Sequence, residues 1–162
     1  MACLAGTVLL AVAVGCGGGS SEGSGAEFSG KVVRVVDGDT IIVQLGDRSE
    51  RVRYIGIDTP ETVAPNRPVG CFGPQASHAN KQLVEGRNVR LVLDAEPRDR
   101  YGRLLAYVYL PSEGERFVNA ELVRRGFADT LRFPPNTSHA AEFAKLRNQA
   151  RSDDLGLWKD CR

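Results

Sequence analysis

Three short stretches of this 162-residue chain collect acids and arginines at spacings that could do chemistry. Asp37-Gly38-Asp39-Thr40 sets two carboxylates in one tight bend, where both can face a cation. Arg53-Tyr54-Ile55-Gly56-Ile57-Asp58-Thr59-Pro60-Glu61 delivers a third acid, Asp58, at a strand end, with Glu61 three residues on. Asp99-Arg100-Tyr101-Gly102-Arg103 leads basic side chains into another strand. Each has an ordinary reading when taken alone: a hairpin turn, an Asx turn or helix cap, and surface charge at a strand start. Their combination says more. Oxygen donors without a CxxC or a paired His favour Ca²⁺ or Mg²⁺ over a transition metal, and Zn²⁺ is excluded. One acid for base work, with arginines to meet charge developing on a phosphate, completes a phosphodiesterase set.

The elements that must position these residues are mostly strands. Lys31–Val36, Thr40–Leu45 and Arg48–Ile57 are rich in β-branched residues and are joined by Asp-Gly and Gly-Asp punctuation, which reads as a β-meander. Along the third run, Arg53, Ile55 and Ile57 are expected on one face and Tyr54, Gly56 and Asp58 on the other. A proline-marked loop at Pro60, Pro65 and Pro68 follows. Pro74 and Gly86 then frame a helix over Pro74–Glu85 with an apolar stripe of Ala76, Ala79, Leu83 and Val84. Asn88–Asp94 and Arg103–Leu110 supply a fourth and a fifth strand, and Phe117 and Val118 could add a short one. Asn119 is expected to cap a helix running to Arg125, and a last helix spans about Ser138 to Ser152 with Ala141, Phe143, Ala144, Leu146 and Ala150 inward. Five strands with one helix after the third and helices at the end is the order of an OB-type barrel, mainly β with α, with three helices in all.

The segments VVDGDTIIV, RYIGIDTPET and DRYGRLLAYVY, with PPNTSH before the last helix and GLW near the end, resemble the staphylococcal nuclease family over residues 31–159. The resemblance implies a five-stranded OB barrel with three helices, one Ca²⁺, and hydrolysis of DNA and RNA to 3′-phosphate ends. By matching positions, Asp39 and Asp58 would bind Ca²⁺ together with the Thr59 carbonyl, and Asp37 would support them. Glu61 would act on the attacking water as general base or by orienting it. Arg53 and Arg103 would stabilise the transition state, and Arg100 and Tyr101 would hold a neighbouring phosphate. Where the family offers tyrosines for base stacking, this chain has Thr130-Leu131-Arg132-Phe133, and Phe133 is the aromatic left for that role.

Bulk properties fit one soluble domain. Hydrophobic residues make up 42% and charged residues 25%, which is ordinary for a globular protein. All 21 Lys and Arg lie from Lys31 onward, while two of the 20 acids, Glu22 and Glu27, precede it. The domain is therefore mildly cationic, compatible with a polyanion that must be released. Leu4 to Val14 is too short to span a bilayer but suits a signal peptide over residues 1–15, and a Gly/Ser-rich tether follows over 16–30, before a domain over 31–162. Ala13-Val14-Gly15-Cys16 resembles a lipobox, making Cys16 a lipidation candidate and the protein cell-surface anchored. Ala11-Val12-Ala13 offers ordinary secretion instead. In an exported domain Cys71 and Cys161 are a disulfide candidate, and they are free thiols if the protein stays in the cytosol.

His78 and His139 are expected on solvated helix faces without a catalytic role, and Trp158 and the tyrosines of AYVYL in the core. The chain reads as a monomer. The alternatives, a catalytically inactive OB-type module for nucleic acid or protein and an adhesive surface lipoprotein, do not explain why Asp39, Asp58, Glu61, Arg53 and Arg103 are all present.

Overall fold

The computed structural model describes residues 25–62 and 68–161. The signal-like run, Cys16, most of the tether, and Pro65 of the proline-marked loop lie outside the described residues.

Five strands close a barrel. β1 (Glu27–Val35), β2 (Thr40–Leu45) and β3 (Arg48–Tyr54) form an antiparallel meander, and β5 (Asn88–Val92) and β6 (Leu104–Leu110) a second antiparallel pair. β1 pairs with β5 on one side, and β3 pairs in parallel with β6 on the other, so the sheet has no open edge between these strands. Closure of this kind removes the unpaired strand edges that would invite aggregation. β1 begins at Glu27, four residues before Lys31, because Glu27–Gly30 pair with Arg90 through Val92 and Val89 across the barrel. The Gly/Ser-rich tether expected through residue 30 thus ends earlier than its composition suggested.

Inward positions of all five strands are apolar: Val32, Ile41, Val43, Val52, Leu91, Leu105 and Val108 are essentially solvent-free. Each such side chain contributes about 1.5–3 kcal/mol relative to exposure. The helices cover the ends. α1 (Gly73–Val84) buries Ala76, Ala79, Leu83 and Val84 as its stripe requires, and Asn80 among them. α2 (Val118–Arg124) and α3 (Ala140–Ser152) pack on each other, and a fourth short helix, α4 (Leu157–Asp160), precedes Cys161. On α3, Phe143 and Ala150 are buried and Leu146 is partly so, whereas Ala141 is exposed. The apolar face is narrower than its sequence spacing implied.

The third strand does not run through to Ile57. It ends at Tyr54, and Ile57–Asp58 form a separate short strand, β4, against Asp129–Thr130, β8. Gly56 causes the break: its φ of +80° is strained for any residue with a Cβ, and a Cβ there would lie 2.5 Å from the Phe143 ring. The simple alternation expected along Arg53–Asp58 is therefore lost, and Tyr54, Ile55 and Ile57 are all fully buried.

Asn119 is not a cap. Phe117, in the short β7 (Arg116–Phe117), stands at the N-cap of α2. The fully buried Asn119 amide instead accepts from the Val108 N–H at 3.0 Å and donates to the Ile55 carbonyl at 2.9 Å. It ties α2 to the barrel just where β3 ends. His139 also departs from expectation. It precedes α3 in an aromatic nest, 4.5 Å from the Tyr107 ring centre and 4.7 Å from that of Phe117, with Nδ1 2.8 Å from Glu142. His78 is exposed, as expected. Tyr107 is buried in the core, while Tyr109 and Trp158 are half-buried.

Cys71 and Cys161 are bonded, with Cα atoms 5.8 Å apart. The bond fastens the chain two residues before α1 to the residue after α4.

Candidate active site

The bend between β1 and β2 is built by its own acids. Asp37 Oδ1 accepts the Asp39 N–H at 3.0 Å, an Asx-type closure that fixes both carboxylates in the turn. Asn80, reaching up from α1, donates to the Asp37 carbonyl at 3.0 Å and accepts from the Tyr54 hydroxyl at 2.9 Å. One buried amide thus locks the turn to β3 and to the helix. Asn80 was not singled out from the sequence, yet a signal existed: an asparagine on the apolar stripe of a helix must satisfy its amide somewhere.

Asp39 is 5% exposed. Its Oδ1 pairs with Arg53 Nε at 3.0 Å and accepts from the Thr40 hydroxyl at 3.1 Å. Its Oδ2 accepts both the N–H and the hydroxyl of Thr59, at 2.8 and 2.9 Å. Arg53, equally buried, donates through Nη1 to the Tyr54 and Ile57 carbonyls at 2.6 and 2.8 Å, and through Nη2 to Asp58 Oδ1 at 2.9 Å. These carbonyls are presented because the chain turns at Gly56. The guanidinium therefore joins Asp39 to Asp58 and holds the broken strand in shape.

Three carboxylates face one guanidinium here, and the imbalance registers in their acidity. Burial, reinforced by the charge of Asp39, pushes the Asp37 carboxyl up to about 6, against the pull of Arg53. Burial also raises Asp58, although Arg53 opposes it. Asp58 is the more open of the two Arg53 partners, and its Oδ2 makes no hydrogen bond among the described residues.

The Asp99–Arg103 turn contributes to the same site. Asp99 accepts the backbone N–H groups of Tyr101 and Arg103 at 2.9 and 3.0 Å, and its other oxygen takes Arg103 Nε at 2.6 Å. Burial works against ionisation of Asp99, but these hydrogen bonds outweigh it and hold its pKa below the usual carboxylate range. The two terminal nitrogens of Arg103 make no hydrogen bond or ion pair among the described residues. Arg100 lies 4.7 Å over the Tyr101 ring and donates to its hydroxyl at 2.6 Å, and Tyr101 is 69% exposed.

All of these groups line one cleft of about 420 Å³. Asp37, Asp39, Asp58, Thr59 and Glu61 line it together with Arg53, Arg100, Tyr101 and Arg103. Every residue that the sequence marked for catalysis, cation binding or phosphate binding lines this cleft. Glu61 accepts the Thr62 N–H at 2.9 Å, and its carbonyl accepts the Gly70 N–H at 2.7 Å, which fixes the segment carrying it. Leu131 and Phe133 also line the cleft.

Gly38 permits the close approach on which the acid wall depends. A Cβ at this position would lie 2.6 Å from the Thr59 Oγ1 and 2.7 Å from its Cβ and Cγ2. Gly38→Ala is therefore expected to push Thr59 off Asp39, reducing kcat/KM about tenfold and costing ~1–3 kcal/mol of stability. Steady-state kinetics and a thermal melt on the same preparation test this; wild-type values in both would show that Thr59 yields without consequence.

The arrangement can neutralise a phosphodiester, place a carboxylate near an attacking water and meet new negative charge with a fork of donors. Comparisons with known proteins bear on the family. Residues 51–160 match the family described as staphylococcal nuclease homologue. The chain is 43% identical over 128 residues to a thermonuclease of Staphylococcus intermedius, covering 79% of this chain and 74% of that protein. It is 40% identical over 130 residues to a thermonuclease of Staphylococcus hyicus, covering 80% and 75%. Similarity extends to the SPbeta prophage-derived endonuclease YokF of Bacillus subtilis, 42% identical over 127 residues, which are 77% of this chain and 42% of that protein. With its acids and arginines gathered in one cleft of a closed five-stranded barrel, the chain belongs to the staphylococcal nuclease family and is a nuclease.

Proposed function

We propose that the chain is a Ca²⁺-dependent phosphodiesterase cutting both DNA and RNA to 3′-phosphate products. The observation that carries this is the cleft itself, which Asp39, Asp58 and Glu61 line together with Arg53 and Arg103.

Among the described residues no three His, Cys, Asp or Glu side chains form a closed metal cluster. The donors present fit a hard cation in an open site. All are oxygens, and Asp58 Oδ2 takes no hydrogen bond among the described residues. Both oxygens of Asp39 already accept from Arg53, Thr40 and Thr59, so one of these contacts would yield to the ion. Asp39 and Asp58, with the Thr59 carbonyl, would hold the ion, and Asp37 would support them through the turn. Bound Ca²⁺ would supply positive charge to a phosphate oxygen. Water and substrate would complete its shell.

Glu61 orients the attacking water or takes its proton. The water oxygen bonds to phosphorus, the bond from phosphorus to the 5′-oxygen breaks, and that oxygen takes a proton from solvent, in balance with the one lost by the attacking water. Arg103 donates from its two terminal nitrogens to the phosphoryl oxygens as their charge grows. Arg53 has three hydrogen bonds and an ion pair within the protein, so it contributes its field and at most part of its fork. Arg100 and Tyr101 hold a neighbouring phosphate at the exposed rim.

A site with two carboxylates and a carbonyl binds Ca²⁺ weakly, so half-maximal activity is expected at about 0.1–1 mM Ca²⁺. Electrophoresis through a DNA-containing gel, developed with Ca²⁺ or with chelator, tests it. Full activity in chelator, or a strict requirement for Zn²⁺, would overturn the reading.

Export to the cell surface through a lipid on Cys16 is part of the same proposal. A disulfide suits an oxidising compartment, and the apolar run before Cys16 suits a signal peptide. Activity is expected to partition with membranes, and a mature protein that begins at Val14 and is free in the medium would favour ordinary secretion.

A further inference from the structure

A second pocket lies beside the cleft. It has a volume of about 320 Å³ and runs between the 130–136 segment and α3. Leu131 and Phe133 line both, so the two cavities share a wall. Gly56 and the buried Phe143 lie at its inner side, and Ala144 opens its α3 face. Small residues at these places leave a slot with mainly apolar walls, of a size suited to a flat ring.

Two guanidinium groups border the slot. Arg132 is exposed and makes no hydrogen bond or ion pair among the described residues. Arg147 is partly exposed, and its Nη1 is 3.9 Å from Asp129. Apolar walls and two cationic side chains together match a nucleobase attached to a phosphodiester.

Resting on the nuclease reading, we propose that this pocket seats a base of the strand being cut, adjacent to the nucleotide whose phosphate occupies the catalytic cleft. The partly exposed guanidinium of Arg147 meets an acceptor on the base edge, and Arg132 meets the backbone phosphate outside. The strand passes over the ridge formed by Leu131 and Phe133. Such a site gives longer substrates tighter binding without altering the reacting groups.

The test compares two substrates. One is a single thymidine carrying a nitrophenyl phosphodiester, too short to reach the pocket; the other is a single-stranded DNA decamer. Ala144→Phe fills the slot, and Arg147→Gln removes the guanidinium; neither residue touches the catalytic cleft. Each variant is expected to raise KM for the decamer about tenfold, with kcat/KM for the nitrophenyl substrate held within about twofold. Equal changes on both substrates, or an unchanged decamer KM in a folded Arg147→Gln protein, overturn the pocket's role while leaving the nuclease reading intact. Failure of the wild type to cut either substrate overturns the nuclease reading itself, and with it the proposal.

Discussion

Arg103→Ala is expected to lower kcat by about two orders of magnitude or more, with a much smaller effect on KM. The terminal nitrogens of Arg103 make no hydrogen bond or ion pair among the described residues; Asp99 grips its Nε at 2.6 Å and its backbone N–H at 3.0 Å, and the Arg103 guanidinium lies 5.5 Å from the Tyr101 ring centre. The side chain is therefore aimed before substrate arrives. Its interactions strengthen as charge accumulates on the phosphoryl oxygens, so their loss appears in the transition state. Arg103→Lys should recover only part of the rate, because an ammonium keeps the charge but cannot present two parallel donors. Glu61→Gln belongs to the same class. It keeps the shape and removes the charge that acts on water, and a similar fall in kcat is expected. Single-turnover rates at saturating Ca²⁺, with circular dichroism to verify folding, are the measurement. Wild-type turnover in either variant would remove that residue from its assigned role.

Arg53 makes a contrasting case. It is almost completely buried and bonds to the Tyr54 and Ile57 carbonyls on either side of the Gly56 turn. Removing it takes away positive charge and also leaves two carbonyls and two carboxylates short of a donor. An Arg53 variant would therefore mix a structural loss with a catalytic one, which makes Arg103 the cleaner probe of phosphate stabilisation.

The acids and arginines of the site were legible because they sit in short turns next to strands whose β-branched composition is unambiguous. Asp39, Asp58, Glu61 and Arg103 could each be placed at a strand end, and a closed barrel brings those ends to one rim. The contacts that hold the rim were less visible. Asn80 joins residues 43 and 26 positions away, to Asp37 and Tyr54, and Asn119 reaches Ile55 across 64 positions. Local pattern suggested a helix cap for Asn119, but a buried amide joining β6 to the turn after β3 was the stronger constraint. The break after Tyr54 was hidden for a similar reason. Gly56 is compatible with a strand by itself, and only the Phe143 ring, from a helix late in the chain, makes a side chain there impossible. His139 looked solvated because its partners, Tyr107 and Phe117, come from β6 and β7 rather than from its own helix.

The second large effect concerns stability. Replacing Cys71 and Cys161 together by alanine is expected to destabilise the domain by about 4–5 kcal/mol, the chain-entropy value for releasing a loop this long. The bonded residues are 90 positions apart and enclose α1, three strands of the sheet, α2 and α3. Few other constraints span so much of the chain, so the unfolded state gains correspondingly more freedom. The loss should also reach the active site. Cys71 follows Gly70, whose N–H holds the Glu61 carbonyl at 2.7 Å, and the bond anchors this segment to the end of α4. With the anchor gone, Glu61 samples more positions and kcat falls, by less than in Glu61→Gln because the carboxylate is still present. Urea unfolding of the wild type with and without reductant, set beside the double variant, separates the two contributions. The reduced wild type should match the variant in midpoint, whereas oxidised protein should unfold at distinctly higher urea. A midpoint unmoved by reduction, in protein whose thiols then titrate as free, would mean that the folded contacts between Cys71 and the C-terminal segment hold the loop without the bond.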